Sequence, residues 1–360
     1  MVEEPVLVDA RRLRAFVSDA FRRAGLTAAA ADRAGAALVQ TDLWGKSSHG
    51  VMRLPHYVSR ITSGAVNPRP AMRVVRGNGA FRVIDGDDGL GLLVGREAMS
   101  QAVRLAQEFD VGVVGAIRSN HFGAAALYAR YAVDRGMVGV AMTNTAPKVI
   151  APGGTRPVTG SNPLAIGVPS HGAFPFLLDL SMSTVAGGRL LLAREAGEKI
   201  PLGWAVDGDG APTDDPDEAF RGSWLPAGGV KGLGLSYAVD VLSGVITGAS
   251  FGLGMRSQYG HAAEPSHTGH LMVALRLDAI IERHELERRM QEYFRGIKDS
   301  PVRDPQAEML VPGETAYRQE RQRRLRGIPI PAGVLAGLVS LGRELGTTVA
   351  LVPSGQEAGR

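Results

Sequence analysis

A mixed α/β architecture is what this sequence predicts, and three observations point to it. The chain has 360 residues, 44% of them hydrophobic and 21% charged, enough to bury a substantial core as one large unit or two modest domains. Apolar runs of strand length and apolar stripes of helical period both occur along it. They mix without the strict βαβ alternation of a pure doubly wound sheet, which leaves α/β or α+β with a mixed sheet.

The elements follow in order. Asp9 is a plausible N-cap for a helix to about Arg23, with Leu13, Phe16, Val17, Ala20 and Phe21 on one face, and Gly25 ends it. Thr27 caps an alanine-rich helix to about Leu43. Ser47 or Ser48 caps a third, from His49 to about Ser63, closed by Gly64. The stiff connector Asn67-Pro68-Arg69-Pro70 marks a boundary. Beyond it, Met72–Arg76 and Phe81–Asp85 read as a hairpin, Leu92–Phe109 as a helix, and Val111–Ile117 as a buried strand. Ala124–Arg135 reads as a helix, and Val138–Thr143, Pro163–Val168 and Phe176–Leu180 as strands. Helices are expected over Val185–Ala196 and Gly232–Thr247, and a strand over Leu271–Leu277. The stretch Leu277–Tyr293 is amphipathic and charged, and two further helices are expected over Tyr317–Arg326 and Ala332–Leu345. The expected organisation is an N-terminal helical region (1–70), a mixed α/β region (71–120 with 246–310), a cofactor region (121–245), a C-terminal helical region packing back on the first (311–350), and a frayed tail (354–360).

Composition excludes several chemistries. There is no cysteine, so disulfides, thiolate zinc sites, iron–sulfur clusters and cysteine nucleophiles are ruled out. A net charge of +4 with dispersed basic residues demands neither nucleic acid nor an anionic membrane. Met1–Ala10 carries Glu3 and Glu4 without an apolar segment, so no signal peptide is expected. No run approaches the ~18 apolar residues of a membrane span. A cytoplasmic protein is the expectation.

Gly89-Leu90-Gly91-Leu92-Leu93-Val94-Gly95 follows a strand and opens a helix, much as a dinucleotide fingerprint does. Its spacing is one residue too long, and Asp110 lies before the second strand instead of at its far end. A glycine-rich start to a packed helix is the better reading.

Two histidine segments carry more. In the stretch Ser47–Tyr57, His49 and Arg53 are four apart and would share a helix face that Tyr57 continues. Histidine exchanges a proton near neutral pH, and arginine offers a fork that fits a carboxylate. Reduction of a 2-oxo acid requires that pairing; a capped surface helix is the competing explanation. Ser119-Asn120-His121-Phe122-Gly123 follows the buried strand, where α/β proteins often hold ligands. Thr143–Pro147 and Gly160–Pro163 are similar polar loops at strand ends.

With these stretches in hand, the chain resembles the type 2 malate/L-lactate dehydrogenase family. The likeness also rests on Asp179–Thr184, Gly203–Asp207 with Pro212-Thr213 and Asp215-Pro216, Lys231–Leu235, and Val311–Glu314. It covers about residues 8 to 350, in the family's order. It implies a largely antiparallel sheet with surrounding helices, outside the Rossmann class, and an NAD(P)-dependent dehydrogenase or reductase acting on a CH–OH group. The substrate it implies is a small 2-oxo or 2-hydroxy acid or a cyclic imine carboxylate, and the assembly a homodimer. Arg53 would hold the substrate carboxylate, with Ser48 and Tyr57 beside it. His49 matches a position described as proton donor and His121 one assigned as acid/base in the ureidoglycolate enzymes, and the sequence leaves the choice open. NAD or NADP would be met by Thr145, Asp179, Leu180, Ser181, Met182, Ser183, Lys231, Gly232, Gly313 and Glu314. The segment Gly260–His270 departs from the family pattern, which bears on substrate choice. The alternative is a catalytically weak relative that binds a nucleotide or metabolite, and the intact set of His49, His121, Arg53 and Lys231 argues against it.

Two other features are set aside. His267 and His270, three apart, lack a third ligand at metal spacing, so no metal is expected. The basic run Arg318–Arg326 is interrupted by Glu320 and has no aromatic platform, so a solvated helix face is expected instead of a nucleic-acid surface.

Overall fold

The structure, a computed structural model, describes residues 4–170, 172–259 and 263–351. Strand β1 (Val6–Val8) leads into α1 (Ala10–Arg23), where the Asp9 carboxylate accepts the N–H groups of Arg11 and Arg12 at 2.9 Å, a side-chain cap of the expected kind. Thr27 caps α2 (Ala28–Leu43), accepting from Ala30 N at 3.3 Å.

The third helix starts later than the sequence suggests. Ser47–His49 and Val51–Arg53 are two 3₁₀ turns, and α3 covers Leu54–Thr62. Pro55 is the physical reason: its missing N–H and fixed φ suit the first turn of a helix. Gly50, between the two turns, breaks the helical path at ψ −147°. A Cβ there would lie 2.1 Å from an Asp42 carboxylate oxygen, so only glycine fits.

Next come β2 (Arg73–Asn78), β3 (Phe81–Asp85), α4 (Gly91–Phe109), β4 (Val111–Ser119), α5 (Ala126–Val133) and β5 (Met137–Thr143). Short strands β6 (Val149–Ile150) and β7 (Pro157–Thr159) precede β8 (Leu164–Val168), β9 (Phe176–Leu180) and α6 (Gly187–Ala196). After β10 (Ala205–Val206), β11 (Pro212–Thr213), α7 (Pro216–Arg221) and β12 (Ser223–Trp224) comes α8 (Val230–Asp240). That helix ends in a π turn, Val241–Val245, in place of the single long helix expected from its apolar run. The chain closes with β13 (Thr268–Arg276), α9 (Arg283–Lys298), α10 (Glu314–Arg326), β14 (Ile328–Ile330) and α11 (Ala332–Leu345).

The main sheet has seven strands in the order β2-β3-β4-β13-β5-β8-β9. Only β3 and β4 pair in parallel, joined by α4; every other neighbour is antiparallel. The mixed, largely antiparallel sheet with surrounding helices is therefore as expected. A second sheet, β11-β10-β12-β6-β7, is small, and β1 pairs with β14. That last pairing joins the two ends of the described chain, and no local pattern could announce it.

Packing follows the same division. Leu13, Phe21, Leu38 and Leu54 from the first three helices share one core with Ile328 and Leu338. Ile84, Met99, Val114, Tyr128 and Met272 form the core of the main sheet under α4 and α5. The glycines at the start of α4 serve this packing: a Cβ on Gly91 would sit 2.1 Å from the Asn120 carbonyl, and one on Gly95 2.8 Å from the Tyr128 ring. They let the helix press against the segment that carries His121. No helix among the described residues is long and apolar enough to cross a membrane.

Candidate active site

A cleft of about 580 Å³ opens between the turns after α2, the ends of β4, β5 and β9, and the start of α6, a volume typical of ligand sites. Ser48, His49, Arg53 and His121 line one part of it, and Thr145, Asp179, Leu180 and Ser181 another. The 3₁₀ turns bring His49 and Arg53 together, not a shared helix face.

Arg53 is 7% exposed. Its Nε donates to the Ser48 carbonyl at 2.7 Å, and its Nη1 donates to Tyr259 Oη. The fork is thus held in place with donors still available on the cleft side.

The rings of His49 and His121 stack with centroids 5.8 Å apart. His49 Nδ1 meets Ser48 Oγ at 3.0 Å, and His121 Nδ1 meets Tyr57 Oη at 2.6 Å. Tyr57 lies beneath the cleft, 2% exposed, and does not line it, but bonds His121, which does. Desolvation, then the charges of Arg53 and Lys46, pushes the His49 imidazole down to about 3. Desolvation first, with Arg53 among the neighbours that add to it, holds His121 well below its usual range. Both rings are therefore neutral at pH 7 in the free protein.

Sequence reasoning missed four neighbours of the cleft. Asp42, 1% exposed on α2, accepts the Val51 N–H at 2.7 Å. Burial raises its carboxyl to about 7, against the pull of Val51 N–H, Ser47 and Arg323. Its signal was an acid on the apolar face of α2 beside Leu38, Val39 and Leu43, a placement that calls for partners. Arg60 on α3 donates to Asn120 Oδ1 and Ser266 Oγ, each at 3.2 Å, and to the Glu264 carbonyl at 2.8 Å, tying three distant segments behind the cleft. Lys46 forms an ion pair with Asp179 at the cleft edge. Nothing local in the sequence announces Tyr259, about two hundred residues from Arg53.

In the other part of the cleft, the hydroxyls of Ser181 and Ser183 meet at 2.7 Å, and Met182 is buried behind them at 1% exposure. Trp224 lines this wall, and its buried Nε1–H meets no acceptor among the described residues. Lys231, Gly232, Gly313 and Glu314 do not line the cleft of this chain. Lys231 is exposed on α8, and a Cβ on Gly232 would lie 2.0 Å from the Ala227 carbonyl. Gly313, at φ +100°, packs against Pro175 and Leu177 of the β9 segment. Glu314 is 4% exposed and pairs with Lys298 and Arg318.

The two histidines first judged unfit for a metal also diverge. His270, fully buried, bonds Thr143 Oγ1 and Ser119 Oγ, each at 2.7 Å. His267 faces Asp88 at 3.3 Å. No group of three metal-ligating side chains occurs among the described residues. Position 171 and the segments 260–262 and 352–360, which include part of the divergent loop and the whole expected tail, lie outside them.

Comparison with known proteins gives a consistent result. The family model for malate/L-lactate dehydrogenase matches residues 8–339. A malate dehydrogenase of Pyrococcus abyssi is 36% identical over 317 residues, 86% of this chain and 86% of its own. A (2R)-3-sulfolactate dehydrogenase (NADP(+)) of Chromohalobacter salexigens is 40% identical over 66% of this chain and 71% of its own. A ureidoglycolate dehydrogenase (NAD(+)) of Escherichia coli O157:H7 is 30% identical over 91% and 93%. Among solved structures, the malate dehydrogenase of Pyrococcus horikoshii OT3 superposes with a TM-score of 0.89 at 32% identity, covering 97% of this chain and 99% of its own. A Δ1-piperideine-2-carboxylate reductase from Pseudomonas syringae reaches 0.83 at 27% identity, covering 93% and 99%.

Proposed function

The chain belongs to the malate/L-lactate dehydrogenase family, and from that premise we propose that it moves a hydride between NAD or NADP and the 2-carbon of a small 2-oxo or 2-hydroxy acid, or of a cyclic imine carboxylate. The observation that carries the reading is the meeting of Arg53, His49 and His121 on one cleft wall.

Arg53, held by Ser48 and Tyr259, takes the substrate carboxylate in a charge-assisted fork. The cleft's other part fits a dinucleotide. Thr145, Asp179, Leu180 and Ser181 offer hydroxyl, carboxylate and backbone groups, Met182 and Ser183 support them, and the unpaired Trp224 N–H awaits an acceptor. When bound, the nicotinamide supplies or takes the hydride.

His121 moves the proton and His49 orients the substrate. His121 Nδ1 is fixed by the buried Tyr57 phenol at 2.6 Å, whereas His49 Nδ1 meets only the adjacent Ser48 hydroxyl at 3.0 Å. The Tyr57 bond occupies His121 Nδ1 and leaves Nε2 for the substrate oxygen. Neutral in the free protein, this imidazole is ready to accept the hydroxyl proton during oxidation. For reduction, a carboxylate on Arg53 offsets the guanidinium charge, and His121 can then hold the proton that passes to the oxygen.

The reading places the enzyme in the cytoplasm as a homodimer with a small carboxylate substrate. An exposed apolar face on α8 and its π turn, with Val230 70%, Leu235 50% and Ile246 65% exposed, supports a subunit contact there. Lys231 stands on the same helix, so its contribution to the cofactor is assigned across that contact.

The test is oxidation of NADH and NADPH with pyruvate, oxaloacetate, 2-oxoglutarate, phenylpyruvate, 2,3-diketogulonate and the two cyclic imines, Δ1-piperideine- and Δ1-pyrroline-2-carboxylate. One substrate should turn over, and Arg53→Ala should lower its kcat/KM on the order of 10³-fold. Purified protein that binds neither cofactor sinks the proposal.

A further inference from the structure

A second cavity, about 540 Å³, lies on the other side of α2, enclosed by α1, α2, α4, α5 and α10. Its lining is unlike that of the catalytic cleft. Five arginines reach it: Arg14, Arg33, Arg96, Arg130 and Arg324. Three carboxylates oppose them, and two are already engaged, Asp134 with Arg130 at 2.5 Å and Glu320 with Arg324 at 2.6 Å. The third, Asp32, forms no ion pair among the described residues, and neither do Arg14, Arg33 and Arg96. Three guanidiniums on one concave surface therefore face a single uncommitted carboxylate.

Arg96 is held in place without a carboxylate. Its Cζ lies 4.0 Å from the centre of the Tyr131 ring, which carries Arg135 at 3.5 Å as well. Cation–π stacking of this kind orients the guanidinium plane, and although one of its N–H groups also bonds Tyr131, others remain for a ligand. Trp44, Leu92 and Leu127 give the cavity an apolar floor, which strengthens charge-assisted bonds made above it.

We propose that this cavity is a binding site for a small polyanion bearing phosphate or several carboxylates. A monoanion would leave positive charge uncompensated; a dianion matches the excess of two that remains when Asp32 is set against the three guanidiniums. Arginine forks fit the oxygen geometry of both groups, and the volume suits a metabolite-sized ligand. The site is separate from Arg53 and the catalytic cleft, so it stands whether or not the proposed reaction is correct.

Calorimetric titration of the full-length protein with inorganic pyrophosphate and with citrate, at constant ionic strength, tests it. At least one of the two should bind saturably, and Arg33→Gln/Arg96→Gln should weaken that binding on the order of tenfold or more. The control Arg11→Gln/Arg12→Gln removes the same charge from outside the cavity and should leave the affinity unchanged, and circular dichroism melting checks that both variants fold. Saturable binding of neither anion overturns the proposal. So does equal weakening in both double variants, or binding that Arg53→Ala abolishes and Arg33→Gln/Arg96→Gln leaves intact.

Discussion

One histidine stacks on Phe122 and another precedes it in the chain, and the proposed reaction gives them different work. His270, in the central strand β13, stacks on the Phe122 ring at 4.8 Å and has both nitrogens occupied by hydroxyls at 2.7 Å. His121 immediately precedes Phe122, reaches the cleft, and has one nitrogen held by a buried phenol. Both have their proton affinity pushed down by burial. Burial and a lowered pKa therefore do not identify the working group. The proposed role of His121 rests instead on a ring nitrogen left over beside Arg53 in the cleft, which His49 shares and His270 lacks.

The contrast can be tested at its strongest point first. His121→Ala should lower kcat by about 10³-fold, the scale of lost general acid–base catalysis, with little change in the melting temperature. Rapid kinetics beside a thermal melt would check both halves. His270→Ala should do the reverse. Losing two buried hydrogen bonds and the ring's volume costs about 3 kcal/mol of stability, read by denaturant unfolding, while kcat of the folded protein stays within a few-fold of wild type. Equal losses of kcat in the two variants would erase the distinction.

Tyr57→Phe sharpens the same contrast with a smaller effect. It removes one oxygen and leaves the packing, so kcat should fall about tenfold through looser placement of His121, with KM nearly unchanged. The last contrast concerns pH. Burial pushes the His270 imidazole down to about 3 from its ordinary 6.5, so between those values the unfolded chain binds the extra proton. Its contribution to stability is full above about pH 6.5 and declines as pH falls toward 3. His270→Gln should flatten that part of the stability profile, measured by unfolding at several pH values.

Much of the fold was legible because it rests on local signals. Asp9 and Thr27 announce helix starts, and the apolar runs at Val111–Ile117 and Val138–Thr143 announce the strands beside β13. The glycine-rich stretch 89–95 reads as a helix entry because its spacing does not suit a dinucleotide, and the structure adds that Gly91 and Gly95 admit close packing. The errors arose where local chemistry competed with periodicity. Pro55 and Gly50 turned an expected helix into two 3₁₀ turns, and the apolar run after Asp240 became a π turn.

The sequence by itself determined the family and the mixed sheet and singled out Arg53, His49 and His121 as site candidates, because residue type, spacing and order can be read along the chain. Only the tertiary structure decided which nitrogen each histidine engages, that Tyr57 lies beneath His121, and that Asp42, Arg60, Lys46 and Tyr259 pack around the cleft. Those are contacts between segments up to about two hundred residues apart, and they exist only once the sheet brings the strand ends together and burial makes every polar group find a partner.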